Sequence, residues 1–254
     1  MMALLEVVNL SKAFGGVKAV QEVSFAVERG LVYSVIGPNG AGKTTLFNLI
    51  TGVYTPSEGD IRLDGQSIAG AAPHELALKG MARTFQNLQI CMNMTALENV
   101  MVGAHLQLDR NFITAMLRLP ELARRDARLK DEARELMRFV GLESYWNMDA
   151  NSMPYGALKR LEIARALAAK PQILFLDEPA AGLNSKETSE IDELVRKVAD
   201  NGITVVLVEH DMKMVMNISD RILVLDYGKK LAEGTAREVR ENPDVIAAYL
   251  GSNV

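Results

Sequence analysis

The sequence holds one cysteine, Cys91, which excludes an intrachain disulfide and makes a reducing, cytoplasmic compartment the natural one. It has no apolar run near the ~20 residues that a membrane span needs, so any work at a membrane would leave the spanning to other chains. It has no basic excess either. Lys and Arg total 28 against 32 Asp and Glu, a net charge of -4, whereas a dedicated nucleic-acid binder shows a strong basic balance. Met1 to Lys12 place Glu6, Asn9 and Lys12 in a strand-like pattern where a secretory leader would have a long apolar core, so no leader is expected. Internal repeats, low-complexity tracts and long linkers are missing as well. The 254 residues, 48% hydrophobic and 24% charged, suffice for a substantial core and a second lobe.

One stretch organises the rest. Gly37-Pro38-Asn39-Gly40-Ala41-Gly42-Lys43-Thr44-Thr45 matches G-x-x-x-x-G-K-[ST] in full. Leu31 to Ile36 before it read as a buried strand, and Leu46, Phe47, Leu49 and Ile50 after it recur as on a buried helix. That strand, loop and helix context is what the motif needs to act as a phosphate cradle. The glycines let backbone N–H groups turn toward a β-phosphate, and the helix N-terminus adds partial positive charge. Lys43 would neutralise β/γ oxygens, and the Thr44 hydroxyl would ligate Mg²⁺.

Short strands are expected at Leu4 to Val8 and Val23 to Val27, with a glycine turn at Gly15-Gly16 between them. Asp60 to Gly65 alternates as an antiparallel strand with one wet face does. Judged by its neighbours alone, Phe14 is a packing residue. From Thr95 to Trp146 helix formers dominate, and Leu129, Ala133, Leu136, Met137 and Val140 mark an apolar stripe ended by Gly141. Arg124, Arg125, Arg128 and Lys130, mixed with Asp126, Asp131 and Glu132, read as a solvated face. About Asn87 to Ser152 therefore reads as a helical insertion into the nucleotide fold. Met153-Pro154-Tyr155-Gly156-Ala157 then opens a helix whose free amides could meet an anion, although its local sequence reads as a plain helix start.

Ile173 to Leu176 is apolar throughout, as in a strand buried on both faces, and delivers Asp177 and Glu178 to its C-terminal edge. A carboxylate pair there is costly to bury without a cation or proton. Asp177 is the candidate for ordering Mg²⁺, and Glu178 for polarising an attacking water. Thr204 to Val208 is a second buried strand that presents Glu209, His210 and Asp211 at the same edge, with His210 as a candidate γ-phosphate contact. Asn184 with Glu187 and Thr235 with Glu238 resemble capping boxes, Arg221 to Ala232 a hairpin, and Asn242-Pro243 a further helix start.

The order of phosphate loop, Gln86 loop, helical insert, Gly156 turn, Asp177-Glu178 and His210 resembles the nucleotide-binding subunit of an ATP-binding cassette (ABC) transporter over essentially the whole chain. The resemblance implies an α/β fold: a P-loop, RecA-like core with an antiparallel β subdomain at 1–86 and 157–254, and a helical subdomain at 87–156. It implies ATP and Mg²⁺ as ligands and ATP hydrolysis as the activity. It reverses the local reading of Phe14, which it makes the adenine-stacking residue. Gln86 is implied to sense Mg²⁺ and the γ-phosphate and to couple them to a membrane partner. Tyr155 and Gly156 fall in the family's signature motif, usually Leu-Ser-Gly-Gly-Gln, which contacts ATP bound by the opposite subunit. Here only Gly156 is kept. Pro154 has neither the hydroxyl nor the N–H of the usual serine, Ala157 stands for glutamine, and Asn184 stands for the common D-loop aspartate.

Tyr155, the run Arg160 to Leu167, the block Asp177 to Asn184 and the ending Asn242 to Ile246 are similar to the branched-chain amino acid importer ATPases, nearest to the first of that system's two ATPase subunits. The implied partners are a second ATPase subunit, integral-membrane permease subunits and, indirectly, a periplasmic or extracellular solute-binding protein, with no nucleic acid. The implied location is the cytoplasmic face of the membrane, held there by the permease. An ABC exporter motor shares every catalytic residue. A non-transport ABC ATPase acting on ribosomes or nucleic acid is disfavoured by the single cassette and negative charge, and a plain P-loop kinase has no use for the Gly156 helix or His210.

Overall fold

A computed structural model describes residues 3–104 and 120–250. In chain order the elements begin with β1 (Ala3–Phe14), β2 (Val17–Glu28), β3 (Val32–Ile36), α1 (Lys43–Ile50), β4 (Glu58–Leu63), β5 (Gln66–Ser67), α2 (Pro73–Leu78) and β6 (Met81–Arg83). The helices α3 (Ala96–Gly103), α4 (Pro120–Phe139) and α5 (Tyr155–Leu167) follow. The chain continues with β7 (Ile173–Asp177), α6 (Ser185–Asp200), β8 (Thr204–Val208), α7 (Met212–Ile218), β9 (Arg221–Asp226), β10 (Lys229–Gly234), α8 (Ala236–Glu241) and α9 (Pro243–Leu250). Two compact units result, one from 1–83 with 172–254, the other from 84–171.

The first unit carries a six-stranded sheet in the order β10-β9-β3-β8-β7-β6, parallel except for the β9–β10 hairpin, and an antiparallel sheet in the order β2-β1-β4-β5. Strands β3, β7 and β8 are buried at every residue, as strands covered on both faces must be. Between them, phenylalanines from α1 and β7 meet edge to face, Phe47 and Phe175 having ring centroids 5.5 Å apart. Strands β1 and β2 run far past their expected lengths, to Phe14 and back from Val17 through the Gly15-Gly16 turn. Register shifts near Val7, Leu10 and Lys12 break the two-residue alternation there, which hides the outer halves of both strands from a pattern search. The alternation of Ile61 and Leu63 inward with Arg62 outward holds in β4.

The second unit is helical, and wider than the insertion expected at 87–156, because α5 packs with α3 and α4. Thr95 caps α3, its hydroxyl accepting from Glu98 N while Glu98 returns a bond to Thr95 N. Gly103 lets α3 approach α5 so closely that any Cβ would collide with the Arg165 carbonyl oxygen. On α4, Leu129, Ala133 and Met137 are buried, as is Val140 just beyond it, while Arg124, Arg128 and Lys130 are exposed. The side chain of Arg125 lies outside the described residues. Among the described residues no helix is long and apolar enough to cross a membrane.

Candidate active site

The parallel strands of the first unit end on one edge, and the chemistry-bearing residues follow them there. After β3, Gly37 turns the chain with φ 152, and a Cβ on it would collide with the Leu225 carbonyl oxygen. Gly42, with φ 97, caps α1 without a side chain, and a Cβ there would lie 2.5 Å from Ala19 O. Only glycine fits either place. The amides of Lys43, Thr44 and Thr45 open α1 and have no acceptor within the helix, whose first turn carries no acidic residue. Such an end is a ready anion site. The loop holds its lysine close: Lys43 Nζ donates to Gly37 O at 2.7 Å and Pro38 O at 3.0 Å. Burial pulls the Lys43 ammonium below its usual pKa, opposed by the charge of Glu178. Pro38, Asn39, Gly40 and Ala41 form the crest between, with Ala41 N donating to Pro38 O.

Asp177 ends β7 with its side chain buried and paired to Arg83, whose Nη2 lies 2.8 Å from Oδ2. Glu178, next in the chain, takes the left-handed conformation (φ 48) and donates its N–H to Val208 O at 3.0 Å. Its Oε1 lies 3.7 Å from His210 Nδ1, and the histidine side chain is the more exposed of the two. Asp177, Glu178 and His210 are thus gathered at one sheet edge, with Glu178 near enough to Lys43 to bias its charge.

Phe14 ends β1, is 42% exposed and meets Tyr54 edge-on at 5.3 Å, with Lys12 Nζ 5.1 Å above its ring. An exposed aromatic of this kind has a face to offer a ligand. Gln86, Tyr155 and Gly156 belong to the second unit. Gln86 is exposed in a bend after β6. Tyr155 opens α5 as an exposed residue, Gly156 behind it is buried, and the N-cap Pro154 makes no side-chain cap bond. Nearby, Glu162 is pushed above its usual pKa by burial, against the N–H groups of Gln89 and Phe85.

Two residues of this region have no motif of their own. Arg83 bonds Asp177 at the edge and Asn48 on α1, the buried Glu209 bonds amides of Ala180 and His210, and each lies far in sequence from at least one of its partners. A charged residue placed beside a buried strand end was the one available signal for both.

Among the described residues no group of three or more His, Cys, Asp or Glu could hold a metal ion. Mg²⁺ needs no such cluster, since it binds through one or two carboxylates together with substrate phosphates and water. The buried carboxylate of Asp177 and the hydroxyl of Thr44 on the first turn of α1 are oxygen donors of the kind that ion takes.

A family model described as ABC transporter matches residues 20–181, and one described as branched-chain amino acid ATP-binding cassette transporter matches residues 229–254. The chain is 48% identical to the high-affinity branched-chain amino acid transport ATP-binding protein BraF of Pseudomonas aeruginosa, covering 98% of both chains. It is 45% identical to the LivG protein of the same description from Escherichia coli K12, again over 98% of each. Among solved structures, it is similar to the ADP conformation of an ATP-binding cassette of an ABC transporter, with a TM-score of 0.85 and 31% identity over 99% of this chain and all of that one.

Proposed function

This chain belongs to the ABC transporter family of ATP-binding cassettes, and we propose that it is the ATP-hydrolysing subunit of an importer for branched-chain or similar amino acids. The observation that carries the import reading is the likeness over 98% of both chains to branched-chain amino acid transport ATP-binding proteins, reaching the C-terminal 229–254 segment. The observation that carries the hydrolysis reading is the clustering of Lys43, Asp177, Glu178 and His210 at one sheet edge.

In this reading the amides of Gly40 to Thr45 and the Lys43 ammonium hold the β- and γ-phosphates of ATP, and Phe14 stacks on the adenine. Asp177, Thr44 and Gln86 would hold Mg²⁺, which supplies charge neutralisation to the phosphates. Glu178 accepts the proton of the water that attacks the γ-phosphorus, and ADP leaves as the bond to the β-phosphate oxygen breaks. His210 donates to the γ-phosphate. The site is completed by a second ATPase subunit whose turn at the place of Tyr155-Gly156 faces the same nucleotide. Closure of the pair moves permease subunits, so the chain works peripherally on the cytoplasmic face of the membrane.

The test is reconstitution with candidate permease and second ATPase subunits in proteoliposomes. ATP-driven uptake of leucine or valine supports the proposal. ATP turnover coupled to outward movement of lipid instead would replace the importer with an exporter.

A further inference from the structure

Glu209 follows β8 with a residue exposure of 1%, and a carboxylate buried that deeply is costly unless its oxygens are bonded. They are. Oε1 accepts from Ala180 N at 3.0 Å, while Oε2 accepts from His210 N at 3.1 Å and Asp211 N at 3.4 Å. His210 Nδ1 also lies 3.8 Å from Oε2. Burial still lifts the Glu209 carboxyl above its usual pKa, the three amides opposing. The charges around it are Asp211 and His210 on its own segment and Asp192 on α6.

The bonds connect two loops. Ala180 lies two residues beyond Glu178, in the turn where Glu178 takes its left-handed conformation. His210 is the residue that faces Glu178 at 3.7 Å. One buried side chain therefore holds the backbone that aims the proposed base and the backbone that aims the proposed γ-phosphate donor. A side chain needed only to fill this space would be apolar, and a glutamine would keep one acceptor oxygen while turning an NH₂ toward backbone donors.

We infer that Glu209 is a positioning residue for ATP hydrolysis, whose carboxylate sets the separation of Glu178 and His210 by tying their two loops together. This rests on the hydrolysis reading above.

The test uses Glu209→Gln and, as a carboxylate-keeping control, Glu209→Asp, each in the full chain. Hydrogen exchange followed by mass spectrometry should show residues 179–184 and 209–212 losing protection together in the Gln variant, with the phosphate loop unaffected. With the partner subunit present, kcat should fall about 10–100-fold, the size expected for lost bonds to a charged group, with ATP affinity nearly unchanged. The Asp variant should recover part of that loss. In a His210→Ala background the Gln substitution should cost much less, because both changes act through one contact. Unchanged exchange in the two segments, or a Gln variant with normal kcat, overturns the inference. So does a loss of kcat and ATP affinity in parallel with melting temperature, which marks a purely structural residue. Failure of the unmodified chain and its partner to hydrolyse ATP would count against the hydrolysis reading, while the exchange measurement still decides whether Glu209 joins the loops.

Discussion

Arg83 and Asp177 form a buried ion pair, Nη2 to Oδ2 at 2.8 Å, with side-chain exposures of 9% and 7%. The same guanidinium donates to Asn48 Oδ1 at 2.7 Å and Thr51 Oγ1 at 2.6 Å. One side chain on β6 thereby joins the end of β7 to the far end of the phosphate-loop helix. Removing one partner of a buried pair leaves an uncompensated charge and costs about 3–5 kcal/mol. Arg83→Met should accordingly lower the melting temperature by roughly 6–20 °C. Adding Asp177→Asn should return much of the loss. Calorimetry of the two variants checks this, and a single variant that melts like the parent would show that the pair contributes nothing net.

Asp192 on α6 gives a pH-dependent prediction. Burial, then the charges of Asp211, Glu209 and Glu193, push its carboxyl up to about 6, with Lys213 opposing. The unfolded value is near 3.9, so the folded chain binds this proton more readily than the unfolded one. Its favourable contribution is present at low pH and is lost as pH rises through about 6. Asp192→Asn should therefore melt higher than the parent near neutral pH, by roughly 2–4 °C for about 1 kcal/mol after solvent screening. The difference should shrink as pH falls and vanish only at about pH 4 and below, where the unfolded carboxyl is protonated too. A gain of equal size at both pH values would assign the effect to something other than this carboxyl.

Much of the candidate site's geometry was legible in order along the chain. The phosphate loop carries its own signature because Gly37 and Gly42 occupy positions that no side chain fits, and β3, β7 and β8 read as buried because every residue in them is. The caps at Asn184 and Thr235 were equally local, each satisfied within three residues. What was not legible depends on partners distant in sequence. Arg83 meets Asp177 across 94 positions, and Glu209 meets Ala180 across 29, so neither role leaves a periodicity or a spacing. The outer halves of β1 and β2 were hidden for a different reason, since bulges scramble the alternation by which strands are recognised.

Gly103 tests the packing of the helical unit. Alanine there drives a methyl group into the Arg165 carbonyl and against Ala168 Cβ, and overpacking of this kind costs about 1–3 kcal/mol. Gly103→Ala should lower the melting temperature by roughly 2–12 °C, despite the better helix propensity of alanine. An unchanged or raised melting temperature would mean that α3 and α5 separate at little cost.

The proposed role of Lys43 can be tested apart from catalysis. Lys43→Ala removes the cation that the loop holds through Gly37 O and Pro38 O, and ATP affinity should fall about 10–100-fold, the worth of a bond to a charged group. Equilibrium binding of a fluorescent ATP analogue to the isolated chain measures it. Unchanged affinity would remove Lys43 from the phosphate cradle.

The most direct test of the account is Glu178→Gln in the assembled ATPase pair, with ATP binding and steady-state hydrolysis measured on the same preparation. If Glu178 is the base that faces His210 across 3.7 Å, ATP affinity stays near the parent value while turnover falls by about 10²–10⁴-fold. Turnover that survives the substitution would contradict the assignment and move the proton acceptor elsewhere on this sheet edge.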